Sequence, residues 1–130
     1  YSGTRHEPAP WLDELEELRG LAQELTGHAY NSVLLNLYRD GRDGMGWHSD
    51  DEPELGPEPA IASWSLGATR RFRLRHRRRK DTGVALDLAH GSLLLMAGAT
   101  QRHYVHAVPK TARPVGERIN LTFRFVTASG

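Results

Sequence analysis

The chain has 130 residues, of which 38% are hydrophobic and 25% are charged, and its formal net charge is only +1. This length and composition are typical of one globular domain and exclude an intrinsically disordered chain. No run of 18 apolar residues occurs, so we expect no membrane-spanning segment and no membrane partner. The absence of cysteine excludes disulfides, thiolate zinc sites and thiol nucleophiles, and suits a reducing compartment.

The small net charge hides an uneven distribution. Residues 1–60 contain 13 acidic and 4 basic side chains, a net charge of −9, whereas residues 61–130 contain 3 acidic and 13 basic side chains, a net charge of +10. Such asymmetry is typical of proteins that bind nucleic acid. An acidic, solvated helix face together with a solvated basic loop would give the same numbers, so both interpretations stay open.

The first predicted element is an amphipathic helix over Pro10–Leu25. Pro10 suits the first turn of a helix, and Gly27 suits the stop at its end. Its other face is rich in Asp and Glu and accounts for much of the negative charge. Apolar residues recur at spacings of three and four, at Trp11, Leu15, Leu18, Ala22 and Leu25.

The rest of the chain has the pattern of short strands separated by glycine, proline or charged residues. Eight such strands after a single helix predict a mainly β fold, a sandwich or barrel of the jelly-roll type, in one domain over residues 1–130. The predicted strands are Ser32–Arg39, Met45–Asp50, Ala60–Ser65, Arg71–His76, Val84–Leu88, Ser92–Met96, His103–Val108 and Arg118–Val126.

His48 and Asp50 are the first candidates for chemistry. Their spacing at the end of a strand places an imidazole and a carboxylate on the same side, where both can bind one metal ion. His106, in a later strand, offers a third ligand. A pair of this kind also occurs as a simple surface hydrogen bond, and the spacing alone does not decide between the two.

The last predicted strand has one apolar and one polar face. Two guanidinium groups on the polar face suit a dicarboxylate ligand, although a half-exposed strand would show the same alternation. The polar face consists of Arg118, Asn120, Thr122 and Arg124. In the first strand, Asn36 and Tyr38 share a face and either hydrogen-bond a ligand or pack in the usual way.

In this order, the motifs resemble the Fe(II)/2-oxoglutarate-dependent dioxygenases, and within them the AlkB family of nucleic-acid dealkylases. The motifs are most similar to those of the branch of that family that acts on duplex DNA. The resemblance implies a double-stranded β-helix (jelly roll) that uses Fe(II), 2-oxoglutarate and O₂, with His48, Asp50 and His106 as iron ligands. The matching stretches are Asn36–Gly41, Trp47–Glu52, Ile61–Gly67, His90–Leu94, His106–Pro109 and Arg118–Arg124.

The resemblance also implies roles for cosubstrate and substrate residues. Arg118 would pair with the far carboxylate of 2-oxoglutarate, helped by Asn36 and Tyr38, and Arg124 would lie near the keto-acid end. Asn120, between the two arginines, would contact the cosubstrate or support the residues that do. The reaction hydroxylates an N-alkyl carbon on a base flipped out of the duplex and releases formaldehyde, succinate and CO₂. Residues implied on the base are the stacking pair Tyr1 and His48 and the acidic pair Asp51 and Glu52.

The basic stretch 70–80 is predicted as a strand followed by a hairpin loop. Concentrated positive charge of this kind suits phosphate contacts that position a nucleic acid without reading its sequence, and a solvated loop is the alternative. The predicted phosphate contacts are Arg70, Arg71, Arg77, Arg78, Arg79, Lys80 and, after His106, Arg113.

These observations predict an oxidative DNA dealkylase. Family members carry an upstream nucleotide-recognition lid before the position of Tyr1, so we expect that segment to be lacking here and the preference for duplex DNA to be less defined. The same chemistry on RNA or on a protein side chain is the main alternative, and a nucleic-acid-binding domain without metal is another. We expect a monomer in the cytoplasm, associated with the nucleoid in a bacterium or located in the nucleus of a eukaryote.

Overall fold

The secondary structure consists of one long helix, eight strands and two short helical turns. A computed structural model describes residues 11–79 and 81–127, so Tyr1, Pro10 and Lys80 lie outside the described residues. The elements are α1 (Asp13–Thr26), β1 (Ser32–Tyr38), β2 (Met45–His48), a 3₁₀ turn (Pro53–Leu55), β3 (Ile61–Gly67), β4 (Arg70–His76), β5 (Gly83–Leu88), β6 (Leu93–Met96), α2 (Thr100–His103), β7 (Tyr104–Val108) and β8 (Arg118–Arg124).

The eight strands form two four-stranded sheets in which all pairs are antiparallel. One sheet has the order β1-β8-β3-β6 and the other the order β2-β7-β4-β5. Strands that follow one another therefore mostly belong to opposite sheets, which is the winding of a jelly roll. The predicted mainly β, jelly-roll fold is confirmed, and it leaves a space between the sheets into which alternate residues of each strand point.

An apolar cluster fills part of the space between the sheets, and a second cluster lies under the helix. The first is built around Ile61, Phe72 and Met96. In the second, α1 packs through Ala22 against Trp64, Leu121 and Phe123 of the first sheet. The acidic side of the helix faces water, as predicted. The helix ends at Gly27, whose φ of 74° is in the left-handed region that favours glycine.

The structure differs from the prediction between the strands. The strand predicted to end at Asp50 ends at His48, so Asp50 lies in a turn. The helix α2 was not predicted, because four residues are too short for a periodic pattern. In the described part of the chain, no helix is long and apolar enough to cross a membrane.

Candidate active site

A cavity between the two sheets collects the polar residues that the strand alternation singled out. It has about 550 Å³ of empty volume, part of which opens to solvent. Every strand contributes at least one residue to its wall. The polar lining consists of Asn36, Tyr38, His48, Asp50, Ser63, His106, Arg118, Asn120 and Thr122. Most predicted metal and cosubstrate residues therefore share one site, although they are up to 84 positions apart in the sequence.

His48, Asp50 and His106 converge at one end of this cavity. One ligand atom of each lies within 4.8 Å of the other two, and the two imidazole rings are 4.2 Å apart. The register explains the convergence, because His48 of β2 is paired directly with His106 of β7. The Nδ1 of His48 lies 2.9 Å from the carbonyl of Gly46, which can only accept, so Nε2 is left free to bind a metal.

The charges in this group of three are those expected of a cation site. Burial raises the pKa of the Asp50 carboxyl above its ordinary value. Burial, together with the neighbouring His48, lowers the pKa of His106 to about 4, so its ring is neutral at pH 7. Two imidazoles and one carboxylate make up the facial set with open positions that is typical of non-haem Fe(II) oxygenases.

Arg118 also lines the cavity and is only 1% exposed. Its Nη2 donates to the hydroxyl of Ser65 at 2.9 Å, and its guanidinium lies 4.9 Å from the centre of the Tyr38 ring. Its Nε and Nη1 are buried and have no hydrogen-bond partner. Burial lowers the pKa of this arginine, because its charge has lost water without gaining a carboxylate.

Polar residues of β3 support this region, and the sequence reasoning missed them. Asn120 donates to the hydroxyl of Ser63 at 2.6 Å and accepts from Thr122 at 2.8 Å. Ser65 holds Arg118, as described above. The signal was present, since Ser63 and Ser65 alternate with apolar residues in a strand that is otherwise fully apolar.

The cavity lining does not include Arg124, Asp51 or Glu52, which were predicted to contact the keto-acid end and the base. Arg124 lies 3.5 Å from the carboxylate of Glu52, and each side chain keeps one buried polar atom without a partner. The carboxylate of Asp51 is largely exposed and lies 3.7 Å from Arg77. Tyr1, predicted to stack on the base, lies outside the described residues.

One predicted phosphate contact is wrong. Arg70 is 2% exposed and points into the protein, in phase with Phe72 on the inner face of β4. Its guanidinium donates to the backbone carbonyls of Asp40, Asp43 and Pro109 at 2.8 to 3.3 Å. A guanidinium that donates to three backbone carbonyls and is hidden from solvent cannot reach a phosphate.

The other predicted phosphate contacts differ in their exposure and in their hydrogen-bond and ion-pair partners. Arg78, Arg79 and Arg113 are exposed, and Arg71 is exposed but paired with Asp87 at 3.0 Å. Arg77 is turned back toward α2 and the turn after β2, where it contacts the backbone. Lys80 lies outside the described residues.

With this geometry in view, comparison with known proteins defines the class. The model of the 2OG-Fe(II) oxygenase superfamily matches residues 1–124, so the chain belongs to this superfamily. The predicted superfamily is thereby confirmed, and the His-Asp-His group of the cavity could hold the metal that the superfamily's description names.

Particular relatives narrow the resemblance to the AlkB family. The chain is 47% identical over 135 residues to "Alpha-ketoglutarate-dependent dioxygenase alkB homolog 3" of Rattus norvegicus, covering 97% of this chain and 46% of that protein. It is 44% identical over 131 residues to "DNA oxidative demethylase ALKBH2" of Homo sapiens, covering 95% of this chain and 50% of that protein. The predicted AlkB resemblance is confirmed. The two relatives match almost equally well, and the chain spans about half the length of each.

A solved structure supports the fold independently. The structure of OsALKBH1 superimposes with a TM-score of 0.58 at 22% identity, covering 87% of this chain and 60% of that one. At this level of identity the similarity concerns the fold alone, and it agrees with the jelly roll described above.

Proposed function

We propose that this chain is the catalytic domain of an oxidative dealkylase that removes N-alkyl groups from DNA bases. The observation that carries the proposal is the cavity itself, because its wall contains both a His-Asp-His group and a buried arginine with two unpartnered donors. Such a cavity suits a metal ion and a dicarboxylate bound together. The similarity to a protein named DNA oxidative demethylase supports DNA as the substrate.

The metal would be held by His48, Asp50 and His106. When bound, Fe(II) supplies O₂ activation coupled to the decarboxylation of 2-oxoglutarate. The protein orients its ligands through the hydrogen bond from His48 to the Gly46 carbonyl and keeps His106 neutral by burial. The carboxylate of Asp50 reduces the charge of the bound cation, and a cation in turn removes the penalty of a buried carboxylate.

The cosubstrate would be held by Arg118, whose unpartnered Nε and Nη1 still offer N–H donors to a carboxylate. The Tyr38 ring, Asn36 and Asn120 line the same region and restrict where the dicarboxylate can lie. Arg124 is proposed to act nearer the keto-acid end. A cavity walled by residues such as Phe72 and Met96 excludes bulk water, which strengthens a charge-assisted pair.

The base would enter from the side of Asp50, where Asp51 and Glu52 border the mouth. These two acids are proposed to meet the exocyclic amine, and His48 and Tyr1 to stack on the flipped base. Exposed Arg71, Arg78, Arg79 and Arg113 are the proposed phosphate contacts. We propose with this that the protein acts as a monomer on DNA in the cytoplasm or, in a eukaryote, in the nucleus.

The test is a panel of N-methylated oligonucleotides as single-stranded DNA, duplex DNA and RNA, scored by formaldehyde release with Fe(II) and 2-oxoglutarate. We expect release from at least one methylated DNA and none from the Asp50→Ala variant. That variant should retain most of its affinity for DNA, which serves as the control for folding.

Other outcomes would contradict the proposal in distinct ways. Release from RNA alone would move the substrate class to RNA. Succinate formation without formaldehyde from any methylated nucleic acid would point to another acceptor, such as a protein side chain. Absence of the visible charge-transfer band on anaerobic addition of Fe(II) and 2-oxoglutarate to folded protein would indicate a binding domain without metal.

A further inference from the structure

A buried glutamine next to the His-Asp-His group is not accounted for by the function proposed above. Gln101, in α2, is only 2% exposed. Its Oε1 accepts a hydrogen bond from the backbone N–H of Asp50 at 2.8 Å, and its Nε2 is 3.5 Å from the sulfur of Met96. A buried amide is costly unless it is hydrogen-bonded, so its acceptor has a definite task here.

The role of the Gln101 amide oxygen follows from where β2 ends. His48 is the last residue of the strand and is paired with His106, but Asp50 already lies in the turn beyond it. The N–H of Asp50 therefore depends on a side chain from elsewhere. Gln101 is 51 positions away in the sequence and precedes His106 by five residues, so one short segment supports two members of the group.

Arg77 holds the same turn from the solvent side. Its guanidinium donates to the hydroxyl of Ser49 and to the carbonyl of Gln101, the latter at 3.2 Å, and its Nε donates to the carbonyl of Arg102 at 2.9 Å. It also lies 3.7 Å from the carboxylate of Asp51. The two residues that flank Asp50 in the sequence are thus tied to α2 by one side chain.

We propose that Gln101 and Arg77 are positioning residues that fix the turn Ser49–Asp51 against α2 and thereby set the place of Asp50 relative to His106. The inference rests on the proposed metal-binding role of His48, Asp50 and His106. Groups that orient metal ligands influence affinity nearly as strongly as the ligands do. Arg77 is also exposed, but it differs from Arg78 and Arg79 because its guanidinium donates to the Ser49 hydroxyl and to two carbonyls of α2.

The experiment is an anaerobic titration of the full chain with Co²⁺, which binds in place of Fe(II) and reports its coordination geometry through visible absorption. Gln101→Met keeps the length of the side chain and removes the acceptor, and Arg77→Ala removes the clamp on the solvent side. Arg79→Ala is the matched control. Thermal unfolding without metal shows whether each variant is folded.

We expect the Kd for Co²⁺ to rise by about 10- to 100-fold in Gln101→Met and by several-fold in Arg77→Ala. The visible spectrum of both complexes should change, which a merely destabilised protein with native ligand geometry would not show. Arg79→Ala should behave like the parent chain in both respects.

Three results would overturn the inference. The first is a parent-like Kd and spectrum in folded Gln101→Met. The second, which decides alone if Gln101→Met does not fold, is a parent-like Kd and spectrum in Arg77→Ala. The third is an equal loss of affinity in Arg79→Ala. A parent chain that binds no Co²⁺ would overturn the proposed metal site and this inference together, so the two failures are distinguishable.

Discussion

Two buried arginines near the ring of Tyr38 differ in their hydrogen-bond partners. Arg70 and Arg118 are 2% and 1% exposed, and their guanidinium groups lie 5.5 and 4.9 Å from the centre of the same ring. Arg70 donates to three backbone carbonyls in the loops that close one end of the sandwich. Arg118 keeps two buried donors without partners.

The difference separates a structural arginine from one that awaits a ligand. A buried guanidinium whose Nη1 and Nη2 donate to backbone carbonyls stabilises the segments that it joins. One whose donors are unused has paid for desolvation without compensation, and its lowered pKa reflects that penalty. Residue type and burial are the same in both cases, so only the inventory of hydrogen-bond partners distinguishes them.

The largest effect should come from replacing the ligand-binding arginine. Arg118→Met is expected to weaken 2-oxoglutarate binding by roughly 100-fold or more, because one bidentate, charge-assisted pair is lost. The folded state should not suffer, since the substitution removes an uncompensated charge. Anaerobic titration of the Fe(II) protein with 2-oxoglutarate measures the first quantity, and urea unfolding of the metal-free protein measures the second.

The comparison with Arg70 would fail if Arg118→Met bound 2-oxoglutarate as the parent does. It would also fail if Arg118→Met lost as much stability as Arg70→Met, because Arg118 would then be structural too. Arg118→Lys is the control for charge without the planar fork, and it should recover only part of the affinity.

Arg70→Met should have the opposite profile. Its removal leaves the carbonyls of Asp40, Asp43 and Pro109 without their donor, and we expect a loss of about 2–4 kcal/mol in the free energy of unfolding. Affinity for 2-oxoglutarate, measured at a temperature where the variant is folded, should stay within a few-fold of the parent. A stable Arg70→Met with weakened cosubstrate binding would reverse the assignment.

The contrast also shows which parts of the site the sequence could predict. Alternation along β1 and β8 correctly placed Asn36, Tyr38, Arg118 and Asn120 on one cavity wall, because the period of a strand is independent of its surroundings. The same rule puts Arg70 in phase with buried Phe72. The prediction recognised a strand at the start of the basic run but still counted Arg70 among the phosphate contacts, and so misassigned that arginine.

Two hydrogen bonds of the site and the short helix α2 could not be predicted from sequence patterns. The hydrogen bond from Asp50 to Gln101 and the one from Arg118 to Ser65 each join residues more than 50 positions apart. Such contacts depend on strand order and on where a turn leaves the sheet. The helix α2, which carries Gln101, is too short to produce a hydrophobic period.

His106 provides a smaller test on the metal-binding side. Its pKa is lowered to about 4 in the folded protein, whereas the unfolded chain takes up this proton near the ordinary value of about 6.5. The unfolded state therefore binds more protons between these pH values, and stability falls as the pH falls through this window. We expect the metal-free protein to lose about 2–3 kcal/mol from this group between pH 7 and pH 4.

Urea unfolding at several pH values, compared with His106→Asn, isolates that contribution, because the variant lacks the titrating group. Burial raises the pKa of Asp50, so its contribution has the opposite sign and falls as the pH rises. The comparison with His106→Asn therefore separates the contribution of His106 to the pH dependence of stability from that of Asp50. Parallel pH profiles for the parent and His106→Asn would contradict a buried, neutral imidazole.

The smallest effects should come from the exposed arginines, which lie outside the cavity. Each phosphate contact releases counterions, so Arg78→Ala and Arg79→Ala should each reduce the slope of log K against log salt by about 0.7–0.9. Formaldehyde release at saturating DNA should be unchanged, because these side chains are far from the polar lining of the cavity. Arg70→Met should leave the slope unaltered, since its guanidinium never reaches solvent. Parent-like slopes in all variants would indicate that DNA binds elsewhere on the surface. The contrast between the arginines would then concern only folding and cosubstrate binding.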